Sequence, residues 1–214
     1  MSDDEFVNLI QGTDEWKLAR LGKVTASRIA DMVAKTKTGW GASRANYMAE
    51  LLVERLTGIP TAGYENDAMK WGTATEPEAR MMYQLENPLN AVEQVGFVPH
   101  PTIAMAGCSP DGLIDDDGLL EIKCPNSATH IETLLGNHTI ALKYRLQIQF
   151  QLACTGRQWC DFVSYDPRMP EQMRLFIHRV MRDKDQIKYL EDSAREFLIA
   201  LDDKLLELKE IYDD

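Results

Sequence analysis

The stretch that decides the fold is SPDGLIDDDGLLEIKCP, residues 109–125. Within it, a short apolar run at 113–114 and a longer one at 119–123 lie on either side of the polar residues 115–118. Short apolar runs separated by turn-forming residues are typical of two antiparallel strands joined by a tight turn. The sequence therefore predicts a β-hairpin here.

The predicted hairpin places three charged side chains together. Because successive side chains in a strand alternate between its two faces, Glu121 and Lys123 point one way and Ile122 points into the core. Asp111, ten residues before Glu121, then lies beside them on the neighbouring strand. Two carboxylates and one ammonium group are expected to converge on one spot.

This set of charges suits a hard divalent cation. Desolvating several charges is costly unless something compensates them, and Mg²⁺ and Mn²⁺ prefer carboxylate and water oxygens. A site of this kind supports cleavage of phosphodiesters. The residues alone leave another interpretation open, in which Asp111 belongs to a Pro-Asp-Gly turn and Glu121 with Lys123 forms a solvated pair.

The rest of the chain alternates between helical and strand patterns. Apolar spacing predicts helices over 27–35, with Thr25 as N-cap, and over 47–56, 70–85, 140–155 and about 183–211. Further short runs predict strands over 92–98, 103–107, 159–164 and 173–180. We therefore expect an α/β fold with a central mixed β-sheet flanked by helices, and a single domain over residues 1–214.

Composition bounds the function without choosing it. The 214 residues carry a formal charge of −11, but 183–214 hold 11 acidic and five basic residues, so more than half of the excess lies in the C-terminal tail. A locally basic DNA groove is therefore compatible with the overall charge. The four cysteines show no metal or redox spacing and are expected to be buried thiols. No apolar run spans a bilayer and the start is acidic, so we expect a soluble, cytoplasmic protein of a phage or bacterial host.

The segments 109–113 and 120–125 resemble the catalytic core of lambda-type phage 5′-to-3′ DNA exonucleases, a family within the PD-(D/E)xK nucleases. Other segments match in the same order, over roughly residues 10 to 200: Trp16 with Arg20–Gly22 and Thr25–Ser27, Trp71–Gly72 with Glu76, Tyr144 with Gln147–Gln149, and Tyr165–Met169. The resemblance implies a restriction-endonuclease-like core.

The resemblance assigns catalytic roles to five residues. It implies that Asp111 and Glu121 bind metal together with the Ile122 carbonyl, that Glu76 is a third carboxylate, and that the cofactor is Mg²⁺, as two ions, with Mn²⁺ able to substitute. Lys123 would orient or deprotonate the attacking water, or stabilise charge in the transition state; the sequence does not separate these roles. Gln147 would help to position the water or the lysine. Glu76 and Gln147 are otherwise ordinary helix-surface residues.

The resemblance also implies a pocket for a terminal 5′-phosphate made by Arg20, Ser27 and Ser109. The alternative is that Thr25 or Ser27 caps a helix and Arg20 pairs with Asp14 or Glu15.

Two further residues are candidates for contact with DNA, and each has an alternative interpretation. Met69 occupies the position of an apolar wedge that separates the last base pair, although methionine is commonly a core residue. Trp40, in a basic loop, would stack on a base or instead fold back onto the protein.

The implied function is metal-dependent 5′-to-3′ degradation of one strand of linear double-stranded DNA, with release of 5′-mononucleotides in phage-type recombination. The family further implies a homotrimeric ring around the DNA and a partner that anneals single strands. Two alternatives stay open: a structure- or site-specific endonuclease of the same fold, and a non-catalytic acidic protein that mimics DNA.

Overall fold

The computed structural model describes residues 6–61, 66–136 and 139–212. Its helices, in chain order, are α1 (Asp14–Arg20), α2 (Ile29–Met32), α3 (Ala42–Thr57), α4 (Asp67–Glu86), α5 (Ser127–Leu135), α6 (Leu142–Thr155) and α7 (Lys184–Tyr212). Its strands are β1 (Val24–Thr25), β2 (Lys35–Thr36), β3 (Gly39–Trp40), β4 (Val92–Glu93), β5 (Val98–Pro99), β6 (Ala106–Cys108), β7 (Gly112–Ile114), β8 (Gly118–Lys123), β9 (Trp159–Tyr165) and β10 (Leu175–Met181).

A five-stranded mixed sheet, in the order β10-β9-β8-β7-β4, carries the predicted hairpin. Strands β8 and β9 are parallel, and the other neighbouring pairs are antiparallel. A three-stranded sheet, β1-β6-β5, and the small β2-β3 hairpin complete the strands that the structure describes. The predicted α/β class with a central mixed sheet flanked by helices is confirmed.

The hairpin of β7 and β8 forms as predicted, with Leu113 opposite Leu119. Asp115 in its turn has a φ of 44°, a left-handed conformation that Asp tolerates better than most residues. Arg157 fixes the turn by donating hydrogen bonds to the carbonyls of Ile114, Asp115 and Gly118 at 2.8 to 3.0 Å.

Helices pack on both faces of the large sheet and give its strands two different environments. On one face, Ala79 and Tyr83 of α4 pack in a buried cluster with Ile122. On the other face, Ile148 of α6 packs in a second cluster with Leu119. The predicted alternation is confirmed, because Ile122 enters the core under α4 while Glu121 lies under α6.

The C-terminal helix α7 packs onto its own chain. Its apolar stripe is buried against α3, where Phe197 stacks on Tyr47 with ring centroids 5.7 Å apart. The four cysteines are buried free thiols, as expected. Of the helices that the structure describes, none has the length and apolar character that crossing a membrane requires.

Several local predictions differ from the structure. The strand expected over 103–107 is β6, which begins only at Ala106. The strand expected over 92–98 is two short strands in different sheets, because β4 pairs with β7 and β5 with β6. The helix expected over 27–35 is a 3₁₀ turn followed by α2, which ends at Met32, and the Thr25 side chain makes no capping bond. Helix α4 begins earlier than expected, so Pro77 lies in its interior, where its missing N–H removes one helical hydrogen bond.

Candidate active site

The hairpin brings Asp111, Glu121 and Lys123 together at the open end of β7. The Ile122 amide donates to Asp111 Oδ2 at 2.6 Å, and the Asp111 amide donates to the Leu120 carbonyl at 3.1 Å. Lys123 Nζ donates to Glu121 Oε1. Backbone and side-chain bonds therefore hold Asp111 directly beside the strand that carries Glu121 and Lys123.

Glu121 is a buried carboxylate whose two oxygens are both bonded. Its side chain is 1% exposed. Besides the contact with Lys123, Oε1 accepts a hydrogen bond from Gln147 Nε2 at 2.6 Å, and Oε2 accepts one from Gln151 Nε2 at 2.6 Å. These bonds compensate the cost of burying the charge.

The site favours a cation. Burial and the negative charge of Glu121 raise the pKa of Asp111 well above its usual range; Lys123 opposes this rise and Glu76 adds to it. Burial alone would lower the pKa of Lys123, but Glu121 and Asp111 outweigh it and raise that pKa. Lys123 is therefore an ammonium group at neutral pH in this arrangement, and the raised pKa of Asp111 shows that a second negative charge beside Glu121 is disfavoured unless a cation compensates it.

Glu76 reaches the same region from α4 and is held by an arginine. Arg80 donates to Glu76 Oε1 at 2.5 Å and, through the same nitrogen, to the backbone carbonyl of Asp111 at 3.1 Å. Glu76 is thus linked to Asp111 through Arg80. The two carboxylates are close enough for the charge of Glu76 to raise the pKa of Asp111.

The metal roles of these residues stay predictions. Within residues 6–61, 66–136 and 139–212, no three His, Cys, Asp or Glu side chains are grouped so that they could hold a metal ion. The expected meeting of three carboxylates is not a formed cluster here, since Glu76 is turned to Arg80. The chemistry of the available donors nevertheless fits Mg²⁺: they are carboxylate and carbonyl oxygens, and a bound cation would favour the ionised form of the buried Asp111.

A cleft of about 530 Å³ opens beside Lys123, between the start of α4 and the start of α6. Its walls include the exposed Met69 and Glu76 on one side, and Lys143 and Tyr144 on the other. A volume of this size is typical of sites that hold small organic ligands. Met69, which is exposed and lines this cleft, lies beside the candidate site.

Arg20, Ser27 and Ser109 meet as one cluster. The Arg20 guanidinium donates to Ser109 Oγ at 3.2 Å and to Ser27 Oγ at 3.4 Å, and it stacks on the Trp16 ring at 4.2 Å. Trp16 Nε1 also donates to Ser109 Oγ, at 3.0 Å. Since Ser109 is two residues from Asp111, the cluster adjoins the carboxylates.

The alternative partners considered for Arg20 are not the ones it uses. Asp14 pairs with Lys17 at 2.9 Å. In the part of the chain that the structure describes, Arg20 makes no ion pair with a carboxylate, and its side chain donates hydrogen bonds to neutral hydroxyl groups. A second cleft, of about 610 Å³, is lined by Trp16, which contacts Arg20 and Ser109, and by Glu76 and Arg80 of α4.

Trp40 is placed by its packing against basic side chains. Its ring lies 3.7 Å from the guanidinium carbon of Arg44 and 4.8 Å from Lys35 Nζ. The ring stays 44% exposed. Trp40 therefore folds back onto the protein, which was one of the two alternatives. Its contact with DNA stays a prediction.

Two residues at the site were not singled out by sequence reasoning. Gln151 lies one helical turn after Gln147, and Arg80 one turn after Glu76. The i, i+4 spacing places each on the same helix face as its predicted neighbour. That spacing was the available signal, but glutamine and arginine on a helix are too common for it to be decisive.

Comparison with known proteins identifies the family. A family model described as the YqaJ-like viral recombinase domain matches residues 15–158. The alkaline exonuclease LHK-Exo from Laribacter hongkongensis is 50% identical, with a TM-score of 0.86 over 92% of this chain and 97% of that chain. LHK-Exo in complex with dAMP gives 51% identity and a TM-score of 0.87 over the same shares.

A phage-related exonuclease from Haemophilus somnus, 14% identical, has a TM-score of 0.66 over 87% of this chain and 96% of that chain, and supports the fold alone. Comparison with curated proteins gave no match. Since the family model covers more than half of the chain and a half-identical structure covers nearly all of it, the expected resemblance is confirmed. The chain belongs to the YqaJ-like viral recombinase family and is a nuclease of the exonuclease type.

Proposed function

We propose that this chain is a Mg²⁺-dependent exonuclease that degrades one strand of linear double-stranded DNA in the 5′-to-3′ direction and releases 5′-mononucleotides. One observation carries the proposal: Asp111, Glu121 and Lys123 form a charged site two residues away from a cluster in which Arg20 meets Ser109. A hydrolytic site therefore adjoins a site suited to a terminal phosphate.

The residues that would hold the metal are Asp111, Glu121 and the Ile122 carbonyl, with Glu76 as a further ligand after it leaves Arg80. Two Mg²⁺ ions, which Mn²⁺ could replace, fit a donor set made of hard oxygens. When bound, such ions supply Lewis-acid stabilisation of phosphate oxygens and lower the pKa of bound water.

Lys123 acts as an electrostatic stabiliser in this proposal. Its raised pKa supports a charged ammonium group rather than a neutral base. An ammonium beside the reacting phosphate would stabilise the negative charge that develops in the transition state. Gln147 holds Glu121 Oε1 on the same side as Lys123, and so helps to orient both groups.

The Arg20 cluster would hold the 5′-phosphate. A guanidinium fork and two hydroxyl groups are the donors that a phosphate dianion accepts. Two residues of extended chain span at most about 7 Å, which is comparable with the spacing of successive phosphates along one DNA strand. The step from Ser109 to Asp111 therefore supports cleavage after one nucleotide, and the similar LHK-Exo has a structure in complex with the mononucleotide dAMP.

The remaining assignments complete the proposal. Met69, exposed at the cleft that contains Lys123, would act as the wedge at the last base pair, and Trp40 would contact the duplex through its exposed edge. By family resemblance, the chain forms a homotrimeric ring and works with a single-strand annealing protein in the cytoplasm of a phage host. A trimeric ring has three times the mass of one chain, so the molar mass measured by light scattering tests it.

The decisive experiment uses matched DNA substrates with Mg²⁺ or with EDTA. We expect linear duplex DNA with 5′-phosphates to be converted to mononucleotides with Mg²⁺ and to persist with EDTA. A label at the 5′ end should be released as a mononucleotide from the start, while a 3′ label stays with long DNA. Early release of the 3′ label would refute the polarity.

The same substrates separate the alternative functions. A closed circular duplex should be untouched, whereas an endonuclease of the same fold would cut it. A DNA mimic would leave every substrate intact, and Lys123→Ala would then change nothing. The proposal requires that this substitution reduce Mg²⁺-dependent digestion by about 10²- to 10⁴-fold while the fold is retained.

A further inference from the structure

Gln151 is a fully buried glutamine on α6 that contacts the candidate metal site. Its exposure is 0%. Its Nε2 donates to Glu121 Oε2 at 2.6 Å, while Gln147 and Lys123 both donate to Oε1. Each oxygen of the carboxylate is therefore held from the protein side, and Oε2 is held by Gln151.

The count of acceptor positions shows what this arrangement leaves available. An ionised carboxylate offers about four lone-pair positions. Side chains of the described residues occupy three of them, two on Oε1 and one on Oε2. The remaining acceptor position is on Oε2, the oxygen that Gln151 fixes.

We propose that Gln151 is a positioning residue, which orients the Glu121 carboxylate so that Oε2 is presented for metal binding. This inference rests on the proposed function, because it assigns a metal to Glu121. Gln151 acts only through Glu121. Partners that orient a metal ligand in this way typically affect metal affinity or activity by about 10- to 100-fold.

The bonding of Gln151 distinguishes this role from a structural one. Its Oε1 atom is buried and has no hydrogen-bond partner among the described residues. A buried unsatisfied carbonyl oxygen is destabilising, so an apolar side chain of similar size would remove that cost and offset part of the stability lost with the bond to Glu121. The bond to Glu121 accounts for a glutamine at this position.

Gln149 on the same helix provides the contrast. It is also buried, with 2% exposure, but both ends of its amide are used: Nε2 donates to the Met181 carbonyl at 2.8 Å, and Oε1 accepts from the Asp183 amide at 2.9 Å. These bonds connect α6 to the end of β10 and to the segment that follows it, and do not touch Glu121. Gln149 is a structural glutamine and a matched control.

The test compares Gln151→Met with Gln149→Met in the full-length protein. Binding of Mn²⁺ in the absence of DNA is measured by titration calorimetry, and the melting temperature of each variant is measured in parallel. We expect Gln151→Met to weaken Mn²⁺ binding by about 10- to 100-fold and to lower the melting temperature less than Gln149→Met does, because Gln149 loses two satisfied hydrogen bonds and Gln151 loses one. Gln149→Met should lower the melting temperature and leave the Mn²⁺ affinity within about twofold of wild type.

A second readout is the Mg²⁺ concentration for half-maximal exonuclease activity, which should rise for Gln151→Met while the maximal rate at saturating Mg²⁺ largely recovers. Gln151→Leu, which also lacks the amide, should behave in the same way if the methionine variant does not fold.

The outcomes separate this inference from the proposed function. A wild-type protein that binds no Mn²⁺ would refute the proposed function. Wild-type binding together with an unchanged Mn²⁺ affinity in Gln151→Met would overturn only the role of Gln151. Equal weakening in the Gln149 and Gln151 variants would also overturn it, because the effect would then come from the helix as a whole.

Discussion

Replacing Arg20 by Ala should remove the preference for a 5′-phosphorylated end. In the structure, the Arg20 fork reaches two hydroxyl groups at 3.2 and 3.4 Å, which are weak partners for a guanidinium. A phosphate in their place would accept charge-assisted bonds, and a hydrogen bond to a charged group contributes about 1.5 to 3 kcal/mol net. At about 1.4 kcal/mol per factor of ten, this corresponds to roughly 10- to 150-fold.

The assay is the ratio of kcat/KM for linear duplex DNA with a 5′-phosphate to that with a 5′-hydroxyl. We expect this ratio to be about 10- to 150-fold lower in Arg20→Ala than in the wild type. The main cause should be slower cleavage of the phosphorylated substrate. Lys17→Ala is the matched control, since Lys17 lies on the same helix and pairs with Asp14 instead of the hydroxyl cluster. An Arg20→Ala enzyme that retains the wild-type ratio would refute the assignment of this pocket.

Three other changes test the charge network. Lys123→Ala should reduce the exonuclease rate by about 10²- to 10⁴-fold with an unchanged circular dichroism spectrum; a rate within threefold of wild type would contradict its role. Burial alone would raise the pKa of Asp166, but hydrogen bonds from Arg168 lower it to about 2. Asp166→Asn should therefore cost about 2 kcal/mol of unfolding free energy at pH 7, and the difference from wild type should shrink as the pH falls from about 4 through 2, as measured by urea unfolding. Arg179→Ala leaves the buried Asp161 without its bidentate partner and should cost about 2 kcal/mol by the same measurement, less than for a fully buried pair because Arg179 is half exposed; an unchanged denaturation midpoint would contradict this.

The parts of the fold that could be predicted are those encoded locally. The hairpin of β7 and β8 follows from period-two alternation and a turn, and α6 follows from period-3.6 spacing. The same alternation places Glu121 and Ile122 on opposite faces, and thereby locates the charged site from the sequence alone. Asp111, Glu121 and Lys123 lie together for this reason.

The parts that could not be predicted depend on partners distant in sequence. The run 92–98 has strand character throughout, but its first residues pair with β7 and its last with β6, so it is divided between two sheets. Arg80 draws the Glu76 carboxylate to itself, and no sequence pattern distinguishes that pair from a solvated i, i+4 pair. Gln151 matters because Glu121 lies under α6, which becomes known only when the sheet and the helix are packed together.

The acidic C-terminal helix shows why overall charge was a poor guide to a DNA-acting protein. Acids of α7 face arginines of the rest of the chain: Glu196 lies 3.6 Å from Arg44, and Asp202 pairs with Arg55. These contacts help to hold α7 against the core, where its apolar stripe is buried. The negative charge of the tail thus takes part in intramolecular packing, while Arg20 and Lys123 lie at the candidate site. A DNA end would be recognised by these local groups and by the ions that the carboxylates hold, so the sign of the net charge carries no information about the ligand.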